Sequence, residues 1–187
     1  ALKNHPAMLQ AMEWHAERVA GPATAEQAMD DWMSVLTDPA LLTEAVEHVS
    51  PGAFSPGEIQ RVTTWCRDRS DELVAKMDGD DEARPELDDE DDALLLRAWQ
   101  LRVGPLRAKG RSPLRYRHIA IDEVQDFSPI DVRILLGCLD QRQSITLAGD
   151  TQQHVMRDAG FTSWADFFRH LGVEGTSVDT LRVSYRC

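Results

Sequence analysis

His118-Ile119-Ala120-Ile121 runs straight into Asp122-Glu123-Val124-Gln125-Asp126, and this junction constrains the fold more than any other stretch. A short, largely apolar run of this kind reads as a buried parallel strand. Carboxylates directly after it project from the strand's C-terminal end, where open α/β sheets keep their ligands. Ser144-Ile145-Thr146-Leu147-Ala148 is a second β-prone run, ending in Gly149-Asp150-Thr151-Gln152-Gln153. Between the two, Ser128-Pro129-Ile130-Asp131 has the chemistry of a helix start, followed by Val132, Ile134, Leu135 and Leu136. Strand, helix, strand predicts a right-handed crossover and a parallel pair.

At the end of such a strand Asp122 would hold a magnesium ion, largely through water, because magnesium prefers oxygen ligands and gives up its waters reluctantly. Glu123, one residue on, is placed to polarise an attacking water. Asp-Glu alone is equally well an acidic turn; the Gln125-Asp126 extension and the second block at Gly149 favour a site.

Asp-Glu-x-Gln-Asp at 122–126, Gly-Asp-x-x-Gln at 149–153, and Leu181-Arg182-Val183-Ser184 leading into Tyr185-Arg186 occur in one order. Together they resemble motifs II, III and IV of superfamily 1 helicases of the UvrD/Rep type. The resemblance implies an ATP-dependent helicase or translocase acting on single-stranded or duplex DNA, with ATP and Mg2+ as cofactors. Asp122 resembles the magnesium-binding acid and Glu123 the general base. Gln125 and Asp126 resemble residues linking the nucleotide site to neighbouring motifs. Gln153 resembles the glutamine that senses the terminal phosphate, and Asp150 would orient its loop. Arg186 resembles the arginine that reaches that phosphate from across the cleft. Tyr185 beside it either packs at the nucleotide cleft or is a plain core tyrosine.

The sequence departs from the family pattern twice. No glycine is followed by Lys-Ser or Lys-Thr, so the Gly-x-x-x-x-Gly-Lys-Ser/Thr phosphate loop is absent. A piece of a larger protein, inactive toward ATP alone and completed by the remaining motor domains of its polypeptide, is therefore expected. After Gln153 the chain reads His154-Val155-Met156-Arg157-Asp158, with Met156 where the family has a base-stacking aromatic. That is closer to the HelD-like branch, whose members remodel RNA polymerase. A non-catalytic interaction module retaining the fold is the reading from a different class.

The first 110 residues read as helices. Leu9, Met12, Ala16 and Val19 share one stripe, stopped at Gly21-Pro22; Thr24 to Gln27 is a capping box ahead of Met29, Trp32, Met33 and Leu36. Leu41, Leu42, Ala45, Val46 and Val49 mark a short helix closed by Pro51-Gly52. Ser55-Pro56-Gly57-Glu58 opens the next, with Ile59, Val62, Cys66 and Leu73 facing inward. Residues 78–92 are acid-rich with little to bury and read as a loop, and a helix follows from about Asp91 to Val103. Arg107, Lys109, Arg111, Arg115 and Arg117 form a basic linker, either a solvated loop or a contact to phosphate backbone. Ser163 caps an aromatic helix that Gly172 ends.

The expected fold class is thus α/β: part of a RecA-like P-loop NTPase lobe with a short parallel sheet (113–175), preceded by a mostly helical subdomain (1–112). Residues 176–187 would start the crossing into a second lobe, their Thr176–Val183 strand pairing with another chain or staying disordered. A net charge of −12 disfavours a generally DNA-coating surface. Cys66, Cys138 and Cys187 lack metal spacing and read as reduced thiols of a cytoplasmic protein. No apolar run spans a membrane.

Overall fold

The chain's helices begin where side chains can satisfy the first free backbone N–H groups. Thr24 and Gln27 exchange side-chain and backbone hydrogen bonds at 2.9 and 3.2 Å, and Ser55 with Glu58 does the same at 2.8 and 3.3 Å. Ser128 with Asp131 forms a third such box at 3.0 and 3.3 Å. The computed structural model describes residues 2–3, 5–19, 21, 23–82, 89–108, 112–150, 163–173 and 176–179. Within them run α1 (Pro6–Arg18), α2 (Ala25–Thr37), α3 (Pro39–Val49), α4 (Pro56–Met77) and α5 (Asp89–Arg102). Then follow β1 (Tyr116–Ile121), a 3-10 turn (Val124–Asp126), α6 (Pro129–Leu136), β2 (Leu139–Leu147) and α7 (Trp164–Leu171).

The architecture is mixed α/β. α1 to α5 enclose a core built on Met8, Leu9, Met12, Val35, Leu36, Leu42 and Leu94. A second core gathers Ile121, Val124, Val132, Phe167 and Leu171. α6 serves both: Ile130 and Ile134 enter the helical core, whereas Val132 enters the second. Its sequence allows this because apolar residues occupy both of its faces.

β1 and β2 pair in parallel, His118 opposite Ser144 and Ile121 opposite Leu147, with α6 as the crossover. Two expectations need correction. β2 starts at Leu139, five residues earlier than its apolar run, and the register shifts between Tyr116 and His118 to accommodate this. β1 is not buried: only Ile121 is, and Ile119 is half-buried. The cause is alternation. Ile119, Ile121, Ile145 and Leu147 lie against the second core, while His118, Ala120, Ser144 and Thr146 are exposed on the other face.

The acid-rich stretch also differs in part. α5 starts at Asp89, and Asp91 is buried rather than part of a solvated loop; it pairs with Lys3 at 2.6 Å. Residues 83–88 lie outside the described residues. So does most of the expected C-terminal strand: 176–179 have no regular structure, and Thr180 onward is not described. Cys66 and Cys138 are buried free thiols. No helix among the described residues is long and apolar enough to cross a membrane.

One carboxylate joins the two cores. Glu13 on α1 accepts from Arg97 on α5 and, at 3.0 Å, from Arg133 on α6. Arg133 also donates to the Leu171 carbonyl that ends α7, at 2.7 Å. Gln100 on α5 donates to the Ile134 carbonyl at 2.8 Å. Removing Glu13 leaves a buried arginine without its counter-charge. Glu13→Gln should cost about 3 kcal/mol in urea denaturation. Glu44→Gln, at an exposed pair with Arg18, should cost under about 0.5 kcal/mol.

Burial sets a pH dependence. His5, His15 and His170 all have pKa values held below the ordinary 6.5, first because burial disfavours their charged forms. Arg169 and His5 depress His170 further, while Glu58 partly opposes the shift at His5 and Asp31 that at His15. The folded state therefore binds fewer protons than the unfolded chain near pH 6, and stability rises with pH there. The folding free energy should be full above pH 6.5 and fall as pH drops through and below 6.5. Denaturation midpoints across that window check it, and His5→Phe should flatten the profile.

Candidate acidic site at the strand ends

β1 delivers its chain directly to Asp122, and β2 delivers its own to Gly149-Asp150 on the adjacent loop. Parallel pairing puts both ends on the same edge of the sheet. The ladder continues into the loops: the Ala148 N–H donates to the Ile121 carbonyl at 2.8 Å, and the Val124 N–H to the Ala148 carbonyl at 2.9 Å. Two segments carrying acids are thus fixed side by side by backbone alone.

Asp122 and Glu123 are both exposed. Asp122 accepts the Glu123 N–H at 3.0 Å, which tightens the turn off the strand. Glu123 has φ +50° and ψ +44°, the left-handed region, and is the one non-glycine residue with positive φ among those described. This conformation costs a non-glycine residue about 1 kcal/mol and survives where the surroundings hold it. The carbonyl of Glu123 accepts the Asp126 N–H at 2.9 Å, closing the 3-10 turn. Asp126 itself is exposed.

Gln125 is the clasp between the loops. It is 2 % exposed, and both ends of its carboxamide are satisfied. Its Nε2 donates to Glu123 Oε2 at 2.6 Å; its Oε1 accepts the Asp150 N–H at 3.0 Å. This brings Asp122, Glu123, Gln125 and Asp150 into one constellation. The motifs flagged Gln125 only as a link. What they did not disclose is that it is buried and that Gly149 exists to receive it. A Cβ on Gly149 would lie 2.5 Å from Gln125 Oε1 and 2.9 Å from Val124 Cγ1. Gln153, Tyr185 and Arg186 lie outside the described residues.

Among the described residues no group of three or more His, Cys, Asp or Glu side chains gathers as a metal cage. Magnesium in nucleotide sites does not need one, since one or two carboxylates plus phosphate oxygens and water complete its shell. An exposed Asp122 at the strand end, with Asp150 on the neighbouring loop, fits that donor set. The exposed Asp122 and the half-buried Asp150 on the adjacent loop carry like charge, which a bound cation would offset.

The Gly149–Gln125 contact gives a direct test. Gly149→Ala should cost about 2 kcal/mol through overpacking. Gln125→Ala removes the obstacle, so the double variant should lose at least about 1 kcal/mol less than the two single losses combined. Chemical denaturation of the three variants measures the coupling.

No protein-family model, curated protein or solved structure matches the chain, so the functional reading rests on these residues themselves.

Proposed function

We propose that this chain is part of an ATP-dependent superfamily 1 motor, carrying the acidic half of its nucleotide site within a RecA-like lobe. One observation carries the proposal: Asp122-Glu123 and Gly149-Asp150 leave adjacent parallel strands on the same edge, stitched together by Gln125. Sheets of this kind bind nucleotides at that edge. In this reading 1–112 form the helical subdomain inserted before the acidic motif, 113–175 the lobe, and 176–187 the crossing toward a second lobe.

Asp122 would hold the Mg2+ that neutralises charge on the phosphates. Glu123 accepts a proton from the attacking water. The Gln125 carboxamide fixes the carboxylate of Glu123 by donating to one of its oxygens, leaving the other for the water. Gly149-Asp150 carries the loop toward Gln153, which would read the terminal phosphate, and Arg186 would supply positive charge to it. In this reading the phosphate cradle would be supplied from outside these residues, since the sequence has no Gly-Lys-Ser/Thr. The polymer is DNA. Met156 at the family's stacking position favours remodelling of RNA polymerase as the second reading.

The chain by itself should show no ATP turnover. In a polypeptide that also supplies the phosphate loop, Glu123→Gln should lower turnover at least about 100-fold while ATP binding persists. Gln153→Ala should uncouple hydrolysis from movement more than it weakens binding. Steady-state ATPase assays beside a translocation assay separate the two. Normal translocation by both variants would remove the motor assignment.

A further inference from the structure

The stretch between α5 and β1 concentrates positive charge in a strongly acidic chain. Arg107, Lys109, Arg111, Arg115 and Arg117 fall within 103–121, where none of the chain's 32 acids lies. The stretch folds back on itself. Arg107 stands opposite Pro113 in an antiparallel bridge; the Leu114 N–H donates to the Leu106 carbonyl at 2.7 Å and the Ala108 N–H to the Ser112 carbonyl at 3.1 Å. This returns Arg107 toward the start of β1. Arg115 stands there too, donating to the Gly137 carbonyl at 3.0 Å. Arg107, Arg115, Tyr116, Arg117 and His118 are all exposed, Tyr116 by 47 %. Asp140, next to the Leu139 that pairs with Tyr116, is an acid beside them. The candidate acidic site lies past the other end of this six-residue strand, about 17 Å away.

We propose that the N-terminal end of β1, with the fold-back before it, holds a single-stranded nucleic acid. The guanidinium groups of Arg107, Arg115 and Arg117 take backbone phosphates, and the exposed ring of Tyr116 stacks on an unpaired base. The order Arg115-Tyr116-Arg117 sets an aromatic ring between two phosphate-binding groups, which matches a strand that alternates base and phosphate. A duplex keeps its bases stacked on one another and offers Tyr116 no ring face, so the single strand is the form this end accepts. The net charge of −12 repels a polyanion from the rest of the surface and confines contact to this cationic end. The inference extends the motor reading, on which its place in a larger protein rests, by naming where the polymer is held. Its residues are separate from those assigned to nucleotide chemistry.

The test uses the full chain without nucleotide and a fluorescein-labelled oligothymidylate of about 16 nucleotides, followed by fluorescence anisotropy. The strand should bind, and a duplex of the same length should bind at least about fivefold more weakly. Arg117→Gln should weaken binding at least about threefold and lower the slope of log affinity against log salt by about 0.7. Arg61→Gln, which removes the same charge from an exposed position on α4, should change neither. Tyr116→Ala should weaken binding at least about fivefold. Tyr116→Phe keeps the ring and Arg117→Lys the charge; both should bind as the unchanged chain does, and they serve if Tyr116→Ala or Arg117→Gln lowers the unfolding midpoint. Three results would overturn the proposal. One is no binding of the strand. Another is equal loss from Arg61→Gln and Arg117→Gln, which means diffuse attraction only. The third is a duplex bound as tightly as the strand with no effect of Tyr116→Ala, which leaves a plain polyanion patch. Strand binding without ATP turnover in the completed polypeptide would keep this site and remove the motor; turnover without strand binding here would do the reverse.

Discussion

The carboxylate of Glu13 sits between two guanidinium groups contributed by helices distant in sequence, Arg97 on α5 and Arg133 on α6. Buried charges of this kind are tolerated only when each finds its counter-charge and its remaining donors find acceptors. Here they do. Arg97 donates also to Gln100 Oε1 at 3.1 Å, and Arg133 reaches the last carbonyl of α7. Three helices therefore meet at one acid, and Arg133 ties in a fourth. The helical core could pack against the sheet unit through α6 in several rotational settings, since hydrophobic contact is not directional. The ion network selects one of them. Through α6, which lies between β1 and β2 in the chain, that choice also sets where the strand ends stand.

The strand ends show the opposite economy. Backbone bonds past the last paired residues lock two loops together before any side chain is considered. Among the described residues strain then enters at one non-glycine position, Glu123, held in a left-handed conformation by the turn on one side and the Gln125 clasp on the other. A fold with no use for that carboxylate would place glycine there and lose the strain. The outlier motivates treating Glu123 as a working residue independently of any motif.

Much of this was legible beforehand where the physics is local. Three capping boxes were readable because Thr24, Ser55 and Ser128 stand three residues from Gln27, Glu58 and Asp131, and the bonds form within one turn. The junction of Ile121 with Asp122 was readable because a strand cannot bury those acids and must end there. What escaped depends on partners far away in sequence. Asp91, Arg97 and Arg102 look like the solvated charges of an ordinary helix until Lys3, Glu13 and Asp31 are seen beside them. The early start of β2 was hidden because Asp140, Gln141, Arg142 and Gln143 carry no apolar signal and span the irregular part of the ladder, which β2 rejoins only at Leu139 opposite Tyr116. The open face of β1 was hidden because His118 and Ala120 are compatible with either environment. At the site, Asp122, Glu123 and Asp150 were named from their pattern, but the buried role of Gln125 required a loop 25 residues downstream.

Gln125 must present a donor to a carboxylate and an acceptor to a backbone amide, from opposite corners of one planar group. A carboxamide supplies both from one uncharged group. Rotating it by half a turn would set its oxygen against Glu123 and its NH2 against the Asp150 N–H, two repulsions in place of two bonds, so the group has a fixed polarity. Glutamate would set a second carboxylate against Glu123 and lose the donor. Glutamine therefore adds a side-chain clasp to loops the backbone already pairs, and a chain that loses it keeps the loops side by side but frees the Glu123 carboxylate from its donor.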